Sequence, residues 1–281
     1  MAKLNDAAIE DIEARAASPK SPIHWKGWRG IAISLAFLAA LGIIWEGIVR
    51  AGIWPSYSVP SPATVLDRLW TGIENNTIPI AIGSSMKRMV IGYALSVVAG
   101  ITLGMLIARY ELVERTIGLA ISGLQTLPSI TWLPLALIWF GLNDQAIIFV
   151  VVMGSVLAIT QATADGVRNI PPLYFRTARN LGASGPTLFL RVIFPASLPT
   201  MITGMKLGWA FAWRALMAAE LLFITPGLGH LLEVGREFND TARVISVMVV
   251  IVFLGIVVDR LVFSPAEKVV RRRWGLTGLQ T

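Results

Sequence analysis

The chain has 281 residues, of which 55% are hydrophobic and 15% charged, with a mean hydropathy of +0.67. Soluble domains carry about 25% charged and about 45–50% apolar residues, so this composition excludes an ordinary water-soluble globule and a disordered chain. The absence of cysteine removes disulfides, thiolate metal sites and thiol nucleophiles. The formal charge of +7 is met by the basic loops of a membrane protein as well as by nucleic-acid binding, and the composition decides for the membrane, with no nucleic-acid partner. Two histidines, His24 and His230, are too few and too far apart to suggest a metal cluster.

Residues 1–30 mix Asp, Glu, Lys and Arg without the short apolar core or cleavage site of a signal peptide. This segment is read as cytoplasmic, ahead of an uncleaved first span. A spanning helix needs about 20 mostly apolar residues. Six segments meet that need: 31–49, 89–108, 117–140, 145–163, 201–223 and 244–263. The third holds Pro128 and Pro134, which remove helix hydrogen bonds and predict a kink. Most Lys and Arg fall between Lys3 and Arg29, at Arg109 and Arg115, from Arg168 to Arg191 and from Arg260 to Arg273. That distribution predicts an all-α polytopic protein of the cell inner membrane with both termini cytoplasmic. The membrane domain runs over 31–264, and a basic tail follows over 265–281.

Between the first two spans, Ser61 and Pro62 predict the N-cap and first residue of a short helix lying on the membrane, with Val65, Leu66, Leu69 and Trp70 on its apolar face. In the second span Gly92, Ser96, Gly100 and Gly104 recur every four residues, and the fifth repeats the device with Gly204, Gly208 and Ala212. Small residues so spaced let another helix approach closely.

The loop over 169–199 is predicted as a helical elbow. Pro171-Pro172 opens one short helix capped by Gly182, and Ser184 and Pro186 open a second that Pro195 stops. Each is too short to span, and such an elbow suits docking into a partner's groove.

Within this loop, the run from Arg176 to Pro195 resembles the EAA loop of ABC-importer permeases. Ala178, Gly182 and Pro195 stand at that family's spacing, Val192 and Phe194 replace Ile and Leu, and Arg176 and Thr177 replace Glu and Ala, so the loop is a degenerate version. Pro60-Ser-Pro62, Leu127-Pro-Ser-Ile-Thr-Trp-Leu-Pro134, Trp139-Phe-Gly-Leu142, Trp213 with Ala219-Glu220-Leu221, and Gly227-Leu-Gly229 are similar to the nitrate/sulfonate/taurine/bicarbonate branch. The resemblance implies a type I importer fold in which two copies of the permease pair around one pathway. It also implies two cytoplasmic ABC ATPase subunits and an external solute-binding protein that delivers an oxidised anion. An aliphatic sulfonate such as taurine is the first substrate expectation, with nitrate or bicarbonate the alternative. The coupling residues it implies are Arg176, Thr177, Ala178, Arg179, Gly182, Ala183, Val192, Phe194 and Pro195.

No G-x-x-x-x-G-K-[ST] loop occurs in the chain. No cofactor is therefore expected here; ATP and Mg would sit on the partner ATPases, and the chain would be a transport subunit rather than an enzyme. An intramembrane enzyme would need a nucleophile with a base, or a metal cluster, and neither is legible. A membrane scaffold recruiting a soluble ATPase fits the elbow but leaves the prolines and buried charges unexplained.

Charges inside spans are costly and face a cavity or a partner. Glu46 and Arg88, both near the outer side, are expected to pair. Arg214 and Glu220 are six residues apart on one helix, about 120° around its axis, so they do not pair with each other. Arg214 has two readings: a guanidinium fork for an oxyanion in the pathway, or a structural arginine. Glu220 shares a face with Trp213 and is assigned to structure or gating. Gln125, Thr126 and Ser129, beside the prolines of span three, either line the path with Trp213, Arg214 and Glu220 or satisfy freed carbonyls.

Overall fold

The computed structural model describes residues 28–274 apart from Ile53 and Ser56. Most of the N-terminal segment, and residues 275–281 of the basic tail, lie outside the described residues. The described chain is helical: α1 (Trp28–Arg50), α2 (Pro62–Glu74), α3 (Thr77–Arg109), α4 (Glu111–Leu124), α5 (Leu133–Phe140), α6 (Asp144–Arg168), α7 (Pro172–Asn180), α8 (Gly185–Glu220), α9 (Leu228–Glu237), α10 (Thr241–Val258) and α11 (Ser264–Arg273). Among the described residues, four helical runs are long and apolar enough to cross a membrane: α3, α6, α8 and the run from α10 into α11. A fifth forms if α4 and the bent segment Ser129–Phe140 count as one.

The centre of the molecule is α6. Two thirds of its apolar window is buried, against 28% or less in the other three, because α3 and α8 pack along two of its sides. The small residues permit that approach. A Cβ on Gly92, Gly100 or Gly104 would come within 2.7, 2.8 or 2.5 Å of Val151, Ile159 or Thr163 on α6. On the other side a Cβ on Gly204 would fall 2.1 Å from Ala162 Cβ. Both small-residue stripes therefore serve helix packing. Ser155 Oγ donates to Ser96 Oγ at 2.7 Å across the first of these seams. The outward faces stay apolar, with Leu95 and Val98 on α3 and Phe253 and Ile256 on α10 exposed, as lipid contact requires.

On one end of the bundle, α2 begins as the sequence predicts: Ser61 caps it by accepting from Thr64 N–H at 3.2 Å, with Pro62 in its first turn. This helix packs on α10, and Trp45 Nε1 of α1 donates to Pro60 O at 3.1 Å. Leu69 of α2, Ile78 and Ala81 of α3, Leu228 of α9 and Val247 and Val250 of α10 form one apolar cluster there.

Two proline expectations need correction. The predicted kink in span three is a full break: α4 stops at Leu124, and its axis turns by 104° into Ser129–Phe140. Pro128 lies at that break, while Pro134 sits in the first turn of α5, where its missing N–H has no intrahelical partner to lose. Pro195 does not stop a short helix. The helix from Gly185 runs 36 residues to Glu220, through a π-helical turn at Phe189–Ile193. Phe194 N–H there reaches back five residues to Phe189 O, a widening that accommodates a proline ring just downstream. The helix is about 54 Å long at 1.5 Å per residue, well beyond the hydrocarbon layer of about 30 Å.

Candidate functional site

The break in span three opens a cavity of about 500 Å³ against α6 and α8. Gln125, Thr126 and Ser129 come from the break, Gly154 and Leu157 from α6, and Phe211 and Arg214 from α8. Four of the residues singled out in the sequence, Gln125, Thr126, Ser129 and Arg214, thus meet in one space. Their hydroxyls and amides divide into two kinds. Thr126 Oγ1 donates to Gly123 O at 2.7 Å, as Thr131 Oγ1, outside the cavity, does to Pro128 O at 2.7 Å. These hydroxyls are thus held by local backbone carbonyls that also accept from the threonines' own N–H groups. Among the described residues, the side chains of Gln125 and Ser129 form no protein hydrogen bond, and they remain available to a ligand.

Arg214 is exposed to this cavity. Its Nε donates to Ala210 O at 3.2 Å, and its guanidinium lies 4.9 Å from the Phe211 ring centroid. These contacts hold the stem and one face of the group. Among the described residues it makes no ion pair, so its remaining N–H groups can take an oxyanion in a bidentate fork.

Trp213 and Glu220 do not line that cavity. Trp213 stacks on Trp209, with centroids 6.3 Å apart and planes 15° from parallel, and packs among core residues. Glu220 is fully buried. Arg88 Nη1 donates to its Oε1 at 2.8 Å, Ser85 Oγ to its Oε2 at 2.7 Å, and Gly229 N–H to the same Oε2 at 3.0 Å. Arg88 also donates from Nη1 to Pro226 O at 3.0 Å and from Nε to Asp144 Oδ1 at 2.8 Å, and Leu228 N–H donates to Ser85 Oγ at 2.9 Å. One carboxylate therefore ties α3, α8 and the 226–229 turn together, while Arg88 extends the tie to the start of α6. The expected Glu46–Arg88 pair is not formed; Glu46 accepts from Arg50 Nε at 2.8 Å, one helical turn away.

Sequence reading missed Asp144, Ser85 and the 226–229 backbone as parts of this network. They lie on separate elements, so no helical spacing relates them. The one signal available was an acid, Asp144, directly behind the helix cap Asn143, whose side chain accepts from Gln145 and Ala146 N–H.

At the far end of α6 lies the elbow. Gly182 has φ +82, Gly182 N–H bonds to Arg179 O at 2.9 Å, and Ala183 N–H reaches Ala178 O at 2.9 Å. This is the doubly bonded glycine cap expected after α7. Ala178 is buried, Ala183, Val192, Phe194 and Pro195 are half-buried, and Arg176, Thr177 and Arg179 are exposed. Thr177, Ala178, Val192 and Pro195 share a groove of about 490 Å³ with Leu173 and Tyr174.

Residues 96–269 match the family model described as the binding-protein-dependent transport system inner membrane component. The chain is 31% identical over 247 residues to the nitrate import permease protein NrtB of Leptolyngbya laminosa, covering 86% of this chain and 88% of that one. It is 28% identical over 239 residues to the taurine transport system permease protein TauC of Escherichia coli, covering 82% and 87%. A chain in an inward-facing structure of the MetNI methionine ABC transporter superposes with a TM-score of 0.58 at 17% identity, over 70% of this chain and 95% of that one, and so shares the fold. A match over most of the helical core, on a bundle of the same fold and with near full-length relatives, leaves one conclusion: the chain belongs to the inner membrane permease family of binding-protein-dependent ABC importers and is a transport component rather than an enzyme.

Proposed function

We propose that this chain is the permease subunit of an ATP-driven importer of a small oxidised anion, with an aliphatic sulfonate such as taurine as the leading substrate. The observation that carries this reading is the cavity in which Arg214, among the described residues, pairs with no carboxylate, beside the side chains of Gln125 and Ser129, which among the described residues make no hydrogen bond. A cationic fork with neutral donors and acceptors around it suits a sulfonate, whose charge is spread over oxygens. Nitrate is the second reading, supported by the relative named as a nitrate permease, and bicarbonate offers the same fork the same type of oxygen pair.

In this reading α1 and the bent α4–α5 segment complete six spans, both termini are cytoplasmic, and two copies face each other across the cavity. An external solute-binding protein delivers the anion. Two ABC ATPases, holding ATP and Mg, dock on the elbow through the surface from Arg176 to Pro195. The firm cap at Gly182 supports that role, because a rigid turn transmits displacement to the long helix α8 that carries Arg214. The test is transport of radiolabelled taurine, nitrate and bicarbonate in proteoliposomes containing the permease, its ATPase and its binding protein. Saturable ATP-dependent uptake of one anion, lost in Arg214→Ala, supports the reading; uptake independent of all three overturns it.

A further inference from the structure

A second cavity, of about 710 Å³, lies where the ends of α3 and α6 meet the elbow. Three arginines from three elements line it: Arg109, the last residue of α3, Arg168, the last of α6, and Arg179 on α7. Arg168 is neutralised by Glu114, with Nη2 2.8 Å from Oε1. Arg109 and Arg179 pair with no carboxylate among the described residues; Arg109 lies 5.6 Å over the Tyr110 ring instead. The backbone of Gly182 to Gly185 closes one side, and Ser184, at the cap position of α8, makes no side-chain capping bond. The positive end of that helix reinforces the field of the arginines. The remaining wall is apolar and includes Met105, Phe175, Leu188 and Ile193.

We propose that this cavity holds the phosphate of an anionic phospholipid from the leaflet facing the elbow. Two unneutralised guanidinium groups recognise phosphate oxygens. The site stands at the ends of two helices that cross the membrane, where basic pockets between spanning helices take anionic head groups. The apolar wall separates a lipid from free phosphate, since only the lipid brings an acyl chain to cover it. Arg179, Gly182 and Ala183 also fall within the run assigned to ATPase docking, but this cavity lies on the side of the elbow that meets Arg109 and Arg168, apart from the groove of Thr177, Ala178, Val192 and Pro195. Binding here does not depend on which anion is transported or on the role of Arg214.

The experiment uses the full chain, purified and reconstituted in nanodiscs of phosphatidylcholine with or without phosphatidylglycerol, with bound lipid counted by native mass spectrometry. The expected result is selective retention of phosphatidylglycerol, weakened about thirty-fold in the double variant Arg109→Gln, Arg179→Gln. The double variant Arg109→Lys, Arg179→Lys keeps the charge and is expected to keep most of the binding, which separates lost recognition from lost folding. Arg236→Gln, on α9 at the opposite end of the bundle, is expected to bind as the unaltered chain does. Equal retention of both lipids, or undiminished retention in the glutamine variant, overturns the proposal. So does loss of binding in the lysine and glutamine variants alike. Displacement of the lipid by about 10 mM inorganic phosphate also overturns it, by making the site one for a free anion.

Discussion

Arg88 and Glu220 are 132 residues apart in sequence, and their side chains meet at 2.8 Å with both buried. Removing Arg88 leaves the Glu220 carboxylate buried without a cation, whereas Arg88 keeps Asp144 as a partner if Glu220 is removed. Through Ser85, Gly229 and Pro226 the pair also fixes the turn that leads into α9. The carboxylate is thus a joint between the helix that carries Arg214 and the helices around it, and it has no exposure to the cavity.

Arg88→Ala is expected to destabilise the bundle by about 3–5 kcal/mol, the usual cost of breaking a buried ion pair from one side. A lower unfolding temperature, read by gel filtration of heated detergent extracts, checks this. Glu220→Gln keeps the shape and some of the hydrogen bonds, so its loss is smaller. Because Glu220 is walled off from the cavity, that variant shifts the basal ATPase rate of the assembled complex rather than the order of substrate preference. A change in preference would place Glu220 in the path after all.

A methyl group added to Gly227 would sit 2.6 Å from the Glu220 carboxyl carbon, and one added to Gly229 2.5 Å from Glu220 Cβ and 2.7 Å from Met217 O. Gly227 is extended, so its alanine variant suffers crowding alone, expected at about 1–3 kcal/mol. The crowding comes from Glu220 itself. Gly227→Ala should therefore cost less in a Glu220→Ala background than in the unaltered chain, and a thermal-stability cycle measures the difference. Strict additivity would show that the two residues do not touch.

Arg214→Ala is expected to reduce anion uptake by about 10- to 100-fold, the range for losing a charged hydrogen-bond donor worth about 1.5–3 kcal/mol. Co-purification of the ATPase should persist, since Arg214 is remote from the elbow. Arg214→Lys keeps the charge without the fork and should fall between the two. Normal uptake by Arg214→Ala in proteoliposomes at saturating binding protein would make this arginine a purely structural side chain held by Ala210 O and Phe211.

Gly182→Val places a β-branched residue at φ +82, a strain of about 1–2 kcal/mol. Nothing lies within 4 Å of a Cβ there, so the effect is conformational and local to the elbow. The expected outcome is weaker retention of the ATPase on an affinity column, with the helical bundle intact by circular dichroism. Full retention and full transport would remove the elbow from the coupling role.

The sequence alone was enough for everything governed by local covalent and solvation rules. Apolar runs marked the four long spans and the broken third one, Ser61-Pro62 marked the start of α2, Gly182 marked the end of α7, and the four-residue stripes of small residues marked the seams on which α6 is packed. Spacing also excluded an Arg214–Glu220 pair, because helix geometry alone sets that angle. Tertiary structure decided the rest. Which prolines end a helix was decided in three dimensions: α8 continues through Pro195, behind the π-helical turn at Phe189–Ile193, and through Pro199, while the chain breaks at Pro128. Partner choice for Arg88 was equally hidden. Glu46 had Arg50 within one turn, whereas Asp144 and Glu220 reach Arg88 only when α3, α6 and α8 are packed together, and burial makes the Arg88–Glu220 contact costly to break from one side.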